Sequence, residues 1–272
     1  MATTDDHRLA SELATSAGSL LTGLRQRLAH GGSPPPVLRH EGDRQAHEYL
    51  MASLARERPG DGVLSEEGAA SDAHPDRSSA TRVWIIDPLD GTREFGEPPR
   101  TDWAVHIALA EDGRPTAGAV ALPALKLTVS TAEPPNSATL QPVPDRPRVV
   151  VSRTRPVREA RAVAEALGAD LVEMGSAGAK AMAVVRGEAD AYLHTGGQYE
   201  WDSCAPVAVA LAAGFHATRI DGSPLEYNCS EPYIPDLVIC RSELAESIVN
   251  LSLIHISEPT RRTPISYAVF CL

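Results

Sequence analysis

A short apolar run that ends in two carboxylates constrains this chain more than any other stretch. The segment Trp84–Ile86 is typical of the end of a buried strand, and Asp87 and Asp90 follow it directly. Folds of the α/β type usually place ligands at such strand ends. Pro88 stiffens the turn between the two acids, because its ring fixes its own φ and restricts the residue before it. Such a turn directs both carboxylates and the Leu89 carbonyl at one point, which predicts a site for a hard cation such as Mg²⁺.

The residues after the second acid suit a phosphate group. Gly91 lets a ligand approach the backbone closely, and Thr92–Phe95 predicts the start of a helix whose free N–H groups bind phosphate. A metal and a phosphate at one place indicate metal-assisted phosphoryl transfer. From this segment alone, a solvated turn stays an alternative. An EF-hand is disfavoured by Pro88 and Leu89, which break its alternation of ligands. A haloacid-dehalogenase-type phosphatase would have the two acids two positions apart rather than three.

Further acidic residues stand beside apolar segments. Glu66 belongs to a Glu-Glu pair that follows an apolar residue, Asp202 precedes the apolar segment Ala205–Gly214, and Asp43 precedes the amphipathic segment Ala46–Leu54. Each has an ordinary structural interpretation beside a ligand role. The glutamate pair is common on surface loops, and for each aspartate the alternative to a ligand role is a helix N-cap.

Taken together, these segments resemble the signatures of the inositol monophosphatase superfamily, a group of Mg²⁺-dependent, lithium-sensitive phosphatases. The first signature, Trp-Ile-x-Asp-Pro-Leu/Ile-Asp-Gly-Thr, is similar to Trp84–Thr92, and the second, which opens with Trp-Asp and closes with Ala-Gly, is similar to Trp201–Gly214. The Glu-Glu pair precedes the first signature as it does in the family. Gly175–Met182 resembles the glycine-rich segment that lies between the two signatures. The resemblance extends from about Leu9 to about Leu244.

The resemblance implies an α+β fold, a layered α/β/α/β/α sandwich, with the site between two subdomains. It implies two or three Mg²⁺ ions, with metal ligands at Glu66, Asp87, the Leu89 carbonyl, Asp90 and Asp202. Thr92 would activate the attacking water with Asp43 as its acidic partner, and Glu66 would join them as a catalytic residue. Substrate contacts are implied at Glu66, Leu89, Asp90, Gly91, Thr92, Ser176, Gly178, Lys180 and Asp202. No covalent nucleophile is needed, so no cysteine or histidine is expected in that role.

Two segments, Asp90–Phe95 and Gly175–Met182, resemble the actinobacterial form of the branch that hydrolyses 3′-phosphoadenosine 5′-phosphate. This resemblance implies release of the 3′-phosphate to give AMP, which would clear a by-product of sulfate assimilation. Lys180 would meet a second phosphate as a point charge, or else lie on the surface of a helix. The alternatives are a phosphatase of inositol monophosphate or fructose 1,6-bisphosphate and, in another class, a non-catalytic phosphonucleotide sensor.

Composition bounds the partners of the chain. The formal net charge of −11 over 272 residues disfavours a nucleic-acid polymer or an anionic membrane as the partner, and favours a small phosphorylated molecule bound through metal ions. No apolar run is long enough to span a membrane, and the polar N-terminus is not typical of a secretory signal. The 4 cysteines show no Cys-x-x-Cys spacing, which predicts reduced thiols in the cytoplasm. A homodimer is compatible with the resemblance.

The proline-rich segment 134–147 is typical of a hinge, and it predicts a first subdomain over residues 1–147 that carries most metal ligands. A second subdomain is predicted over residues 148–249. In the first, strands are predicted at 103–109 and 115–122, joined by a turn at Glu111-Asp112-Gly113. In the second, strands are predicted at 148–152 and 190–194, and helices at 158–167 and 179–186.

The last residues differ in character from the rest of the chain. From about Asn250 the alanine-rich, acidic composition is lost, and residues 250–272 resemble translated adapter or vector sequence. We predict a non-native tail that replaces the final helix. The alternative is a genuine divergent tail.

Overall fold

The computed structural model describes residues 1–68, 74–154 and 157–257. Within these ranges the helices are α1 Thr4–His30, α2 Pro35–Glu57, α3 Thr92–Phe95, α4 Arg158–Ala166, α5 Ala177–Val185, α6 Glu200–Ala212 and α7 Ala245–Ser257. The strands are β1 Gly62–Ser65, β2 Arg82–Asp90, β3 Ala104–Glu111, β4 Arg114–Leu122, β5 Leu127–Ser130, β6 Arg148–Ser152, β7 Asp170–Met174, β8 Ala191–Tyr199, β9 His216–Thr218 and β10 Tyr233–Cys240.

These strands form two sheets of five. The first has the order β1-β2-β3-β4-β5, in which β1 and β2 are parallel and the other neighbours are antiparallel. The second has the order β7-β6-β8-β10-β9, in which β6 is parallel to β7 and β8, and β10 is antiparallel to both of its neighbours.

Helices separate and cover the two sheets in five layers. Helices α1 and α2 pack on the outer face of the first sheet. Helices α5 and α6 fill the space between the sheets, and α4 and α7 cover the outer face of the second. The expected α+β sandwich of the α/β/α/β/α type is therefore confirmed.

Strand β2 is buried on both faces, as its sequence predicts. Trp84 and Ile86 face the outer helices, whereas Val83 and Ile85 face the layer between the sheets. Because side chains alternate across a strand, a continuous apolar run suits a strand that is covered on both sides. The two acids at its end therefore lie deep in the molecule.

Most predicted elements are confirmed within a few residues, and the hairpin between β3 and β4 shows why. Its two-residue loop is Asp112-Gly113, with φ of 48° and 75°. Two consecutive positive φ values match the twist of a tight hairpin, for which Asp-Gly is a strong local signal.

Neither Asp43 nor Asp202 is an N-cap, so that alternative is wrong for both residues. Helix α2 begins at Pro35, a favourable first position, and continues through Asp43, so Asp43 is an interior residue rather than a cap. Helix α6 begins at Glu200 with Tyr199 as its N-cap. Asp202 is the third helical residue, and its carboxylate accepts a hydrogen bond from the Tyr199 backbone N–H at 2.7 Å.

The C-terminal part of the described chain is helical. Helix α7 includes residues 250–257, the first eight of the predicted tail, and Ile248 and Ser252 are buried. Residues 258–272 lie outside the described residues, so a non-native tail stays a prediction, as does the subdomain boundary after residue 147. None of the helices over the described ranges is long and apolar enough to cross a membrane.

A buried ion-pair network fixes the start of α1 against the first sheet. Asp6 is 2% exposed, and its carboxylate accepts hydrogen bonds from the Thr3 backbone and from Arg58 and Arg82 at 2.8 to 3.0 Å. Burial alone would raise the pKa of Asp6, but hydrogen bonds from Thr3 and the two guanidinium groups lower it to about 2. The ionised carboxylate therefore stabilises the fold above its ordinary pKa of 3.8, and this contribution is lost as the pH falls toward 2.

We expect Asp6→Asn to lower the free energy of unfolding at pH 7 by about 2 kcal/mol. The difference from the unsubstituted protein should shrink to about half by pH 3, because the unfolded chain is protonated there. Urea denaturation between pH 7 and pH 3 measures it. Glu12→Gln, an exposed residue of the same helix paired with Arg8, is the control and should change stability by less than about 0.5 kcal/mol. A loss in Asp6→Asn that does not vary with pH would contradict this assignment.

Candidate active site

An irregularity in the first sheet brings the two motif acids together. The pairing of β2 with β3 is regular as far as Asp87, opposite His106, and then shifts before Asp90, opposite Ala104. Pro88 has no backbone N–H to give to the ladder, which accounts for an irregularity at this position. The Leu89 N–H donates instead to Asp87 Oδ1 at 3.0 Å, so this carboxylate is held against its own turn.

Asp202 reaches the same point from the N-terminus of α6. One carboxylate oxygen of each of Asp87, Asp90 and Asp202 lies within 4.8 Å of the other two. Burial and the neighbouring Asp90 raise the pKa of Asp202 to about 7. Burial likewise raises the pKa of Asp87 well above its ordinary value, with Glu66 and Asp90 adding to it. Full ionisation of the cluster is therefore unfavourable when no cation is bound.

Glu66 borders this cluster from the end of β1. Its backbone N–H donates to the Ile86 carbonyl at 3.3 Å, which holds the residue beside β2. Glu66 is exposed as a residue, but desolvation of its carboxylate by the surrounding protein raises its pKa to about 7, and a hydrogen bond with Asp87 opposes the shift. The carboxylate lies against Asp87, but it is not among the three whose oxygens converge within 4.8 Å.

The carboxylate of Asp90 is held by the N-terminal turn of α5. It accepts hydrogen bonds from the Ser176 hydroxyl, from Ala177 N at 3.1 Å and from Gly178 N at 2.6 Å. Burial would raise its pKa, but His106, Lys180 and these donors lower it strongly. Asp90 is therefore the acid of the cluster that stays ionised, and Ser176 and Gly178 contact it directly.

His106 also contacts Asp90, and sequence reasoning missed it. Its Nε2 lies 3.1 Å from Asp90 Oδ2, and its Nδ1 lies 3.0 Å from the Trp201 carbonyl. Burial opposes protonation, but the Asp90 carboxylate outweighs it and raises the pKa of His106. A Cβ on Gly178 would stand 2.0 Å from His106 Nε2, so only glycine fits there. Within the predicted strand 103–109 no motif marks this histidine as different from a core residue.

Lys180 is buried rather than lying on a helix surface, so that alternative is wrong. It is 5% exposed, and its ammonium donates to the carbonyls of Gly175 and Ser176. It also lies 5.3 Å from the centre of the Tyr192 ring. Burial lowers the pKa of Lys180, and the carboxylates of Asp90 and Asp202 oppose that shift. The side chain therefore places positive charge behind the turn that holds Asp90.

Thr92 and Asp43 form a pair beside the acids. The Thr92 hydroxyl lies 3.1 Å from Asp43 Oδ1 and 3.0 Å from the Leu89 carbonyl oxygen. Burial and the nearby Glu67 raise the pKa of Asp43 to about 7, and the contact with Thr92 lowers it in part. Gly91 has φ of 86° and N-caps the four-residue α3, a conformation that favours glycine. The Thr92 hydroxyl therefore connects the turn that carries Leu89 with a half-buried carboxyl group.

The donor set suits a hard divalent cation. It consists of oxygens, and burial and mutual repulsion raise the pKa values of Glu66, Asp87 and Asp202, which a cation would relieve. The predicted ligands Glu66, Asp87, Asp90 and Asp202 are thus brought together, with the Leu89 carbonyl in the connecting turn. Identity and number of the ions stay predictions.

Comparisons with known proteins found a matching family and several similar proteins. The sequence profile of the inositol monophosphatase family matches residues 8–255 of this chain. A 3′-phosphoadenosine 5′-phosphate phosphatase of Mycobacterium leprae is 50% identical over 258 residues, which cover 90% of this chain and 93% of that protein. The 3′(2′),5′-bisphosphate nucleotidase CysQ of Escherichia coli K12 is 32% identical over 200 residues, covering 71% and 80%. The crystal structure of CysQ from Bacteroides thetaiotaomicron matches with a TM-score of 0.72 at 26% identity, covering 88% and 98%.

Proposed function

Because this chain belongs to the inositol monophosphatase family, we propose that it is a Mg²⁺-dependent phosphoric monoester hydrolase that converts 3′-phosphoadenosine 5′-phosphate to AMP and phosphate. The observation that carries the reaction type is the convergence of Asp87, Asp90 and Asp202 beside the Thr92–Asp43 pair. The 50% identity to the phosphatase of Mycobacterium leprae supports the choice of substrate.

Two or three Mg²⁺ ions are proposed at this site, with ligands from Glu66, Asp87, the Leu89 carbonyl, Asp90 and Asp202. When bound, Mg²⁺ supplies charge to neutralise the phosphate dianion, to lower the pKa of a water molecule and to stabilise the leaving oxygen. The carboxylates of the chain hold the cations, and the ring of His106 and the α5 turn hold Asp90 in place.

Thr92 and Asp43 are proposed to remove the proton of the attacking water. The Thr92 oxygen accepts a hydrogen bond from that water while its own proton points to Asp43 Oδ1 at 3.1 Å. A carboxyl group whose pKa is raised toward 7 accepts a proton near neutral pH more readily than an ordinary aspartate does. No covalent nucleophile takes part in this scheme, and Glu66 is the third proposed catalytic residue.

The backbone of Gly91 and Thr92 is proposed to hold the transferred phosphate. Ser176 and Gly178 already bind Asp90, and Lys180 already binds the Gly175 carbonyl just before α5. We therefore propose that these residues act on the substrate mainly by setting the charge around Asp90. The activity would serve the clearance of a by-product of sulfate assimilation in the cytoplasm. A homodimer stays a prediction.

A substrate panel tests the proposal. Phosphate release is measured on the full chain with 3′-phosphoadenosine 5′-phosphate, inositol 1-phosphate and fructose 1,6-bisphosphate, each with Mg²⁺ and with a chelator. We expect kcat/KM for the nucleotide to exceed the others by at least about tenfold, and release to stop with the chelator. Preference for a sugar phosphate would leave the reaction type standing and overturn the substrate. Nucleotide binding without release from any substrate would favour the sensor.

A further inference from the structure

The carboxylate of Asp102 joins the two sheets beside the candidate site. It lies just before β3, and it accepts hydrogen bonds from Arg100 Nη2 at 2.8 Å, from Arg153 Nη2 at 2.7 Å and from Gly175 N at 2.6 Å. Arg100 belongs to the same loop of the first sheet. Arg153 follows β6 and Gly175 follows β7, so one carboxylate of the first sheet holds the ends of two strands of the second.

The turn that Asp102 holds is the turn that holds Asp90. Gly175 is bound to Asp102, and the next residue, Ser176, donates its hydroxyl proton to Asp90. Ala177 and Gly178 follow and give their N–H groups to the same carboxylate. Asp102 and Asp90 therefore anchor opposite sides of a single short connection between β7 and α5.

This connection has a backbone conformation that needs support. Ser176 has φ of 49° and ψ of 135°, and a residue with a side chain rarely adopts a positive φ. Such conformations persist where the surroundings determine them from more than one side. Here the Gly175 N–H is fixed by Asp102, and the Ser176 hydroxyl is fixed by Asp90.

Glu94, a residue of the segment Asp90–Phe95, contacts the same two arginines as Asp102. Its carboxylate lies 3.3 Å from Arg100 Nη2 and 3.6 Å from Arg153 Nη1, and it is 6% exposed. A Cβ on Gly175 would stand 2.4 Å from Glu94 Cδ, so the turn packs directly on this side chain. Two carboxylates and two guanidinium groups thus meet beside Gly175.

We propose that Asp102 is a positioning residue for the metal site: with Arg153 it sets the β7–α5 turn, and the turn sets the orientation of the Asp90 carboxylate. The inference rests on the proposed function, because it takes Asp90 as a Mg²⁺ ligand. Asp102 makes its contacts with Arg100, Arg153 and Gly175 and is not part of the acidic cluster itself. Its loss should therefore weaken Mg²⁺ binding more than it changes turnover at saturating Mg²⁺.

The test is Asp102→Asn, measured by two Mg²⁺ titrations. One follows nucleotide hydrolysis, and the other follows the midpoint of thermal unfolding without substrate. Partners of a metal ligand typically contribute 10–100-fold to metal affinity, so the Mg²⁺ concentration for a half-maximal effect should rise about tenfold in both titrations. At saturating Mg²⁺, kcat and KM should stay within about threefold of the unsubstituted enzyme.

Asp170→Asn is the matched control. Asp170 begins β7, the strand that ends beside Gly175, and it forms an exposed ion pair with Arg146 at the far end. This substitution also removes one carboxylate from an aspartate–arginine pair of the second sheet. It should leave both Mg²⁺ titrations unchanged.

The outcomes separate this inference from the proposed function. If the unsubstituted protein neither hydrolyses the nucleotide nor responds to Mg²⁺, the proposed function is wrong. If the unsubstituted protein does both, and folded Asp102→Asn needs the same Mg²⁺ concentration for a half-maximal effect, Asp102 is not a positioning residue. A lower kcat at saturating Mg²⁺, with an unchanged Mg²⁺ concentration for the half-maximal effect, would also overturn the positioning role of Asp102. If Asp102→Asn does not fold, Arg153→Gln tests the same positioning role, because it removes one donor to Asp102. It should also raise the Mg²⁺ concentration for a half-maximal effect.

Discussion

Replacing Asp87 with asparagine should abolish phosphate release and, in the absence of metal, make the protein more stable. Burial and the neighbouring carboxylates raise the pKa of Asp87, so its ionisation near neutral pH opposes folding when no cation is bound. Asparagine keeps the oxygen that accepts the Leu89 N–H at 3.0 Å and removes the charge. The loss of activity should exceed the 10–100-fold that follows loss of an outer partner of a metal ligand.

The stability of the metal-free protein should depend on pH in a definite direction. The folded-state pKa values of Glu66 and Asp202 are raised to about 7, and that of Asp87 is also raised. With chelator, the stability of the unsubstituted protein should therefore fall as the pH rises from 5 to 8, and Mg²⁺ should reverse the fall. In Asp87→Asn the metal-free Tm at pH 8 should rise by about 2–4 °C for each kcal/mol of repulsion removed.

Thermal denaturation at pH 5, 6.5 and 8, with chelator and with Mg²⁺, measures both effects. Glu133→Gln, an exposed acid in the loop after β5, is the control and should leave Tm and activity unchanged. A metal-free Asp87→Asn that is less stable than the unsubstituted protein at pH 8 would contradict the repulsion argument. Retained Mg²⁺-dependent turnover would remove Asp87 from the metal site.

Replacing Thr92 with alanine should lower kcat by about 10²–10⁴-fold, the usual contribution of a positioned proton acceptor. The hydroxyl lies 3.1 Å from Asp43 Oδ1, and in the proposed mechanism it connects this carboxyl to the attacking water. Alanine keeps the backbone of the turn, so Mg²⁺ binding and KM should change much less than kcat.

Thr92→Ser is the matched variant, because it keeps the hydroxyl and loses only a methyl group. It should retain turnover within about tenfold of the unsubstituted enzyme. Steady-state kinetics at saturating Mg²⁺, with the Mg²⁺-dependent Tm shift measured in parallel, distinguish the roles. If Thr92→Ala and Thr92→Ser lose activity equally, the hydroxyl is not the proton acceptor. If the alanine variant loses its Tm shift, Thr92 acts through the metal site instead.

The elements around the acids could be predicted because their signals are local. A continuous apolar run predicts β2, and the irregularity in its pairing after Asp87 follows from Pro88, which cannot donate to the ladder. Asp112-Gly113 predicts a hairpin because two left-handed residues suit that turn. These signals depend on neighbours within a few positions, so the sequence alone was enough.

Asp43 shows where local reasoning fails. As a polar residue before an amphipathic segment it resembles an N-cap, but α2 begins earlier and includes Gly42. A Cβ on Gly42 would stand 2.8 Å from both Leu89 and Phe95, so the glycine inside the helix is there for close packing against the site. That packing turns Asp43 toward Thr92, and nothing in the residues adjacent to Asp43 predicts it.

By itself, the sequence determined many of the elements around the site, the family and the identity of the motif acids, because turns, apolar runs and signatures are properties of contiguous residues. The tertiary structure alone decided which distant residues support those acids. His106 approaches Asp90 when β2 pairs with β3, with its Nε2 3.1 Å from Asp90 Oδ2. Asp102 approaches Gly175 N, at 2.6 Å, only when the two sheets come together. Hydrogen bonds and charge interactions act across a few ångström in space and not along the chain, so these roles arise from folding.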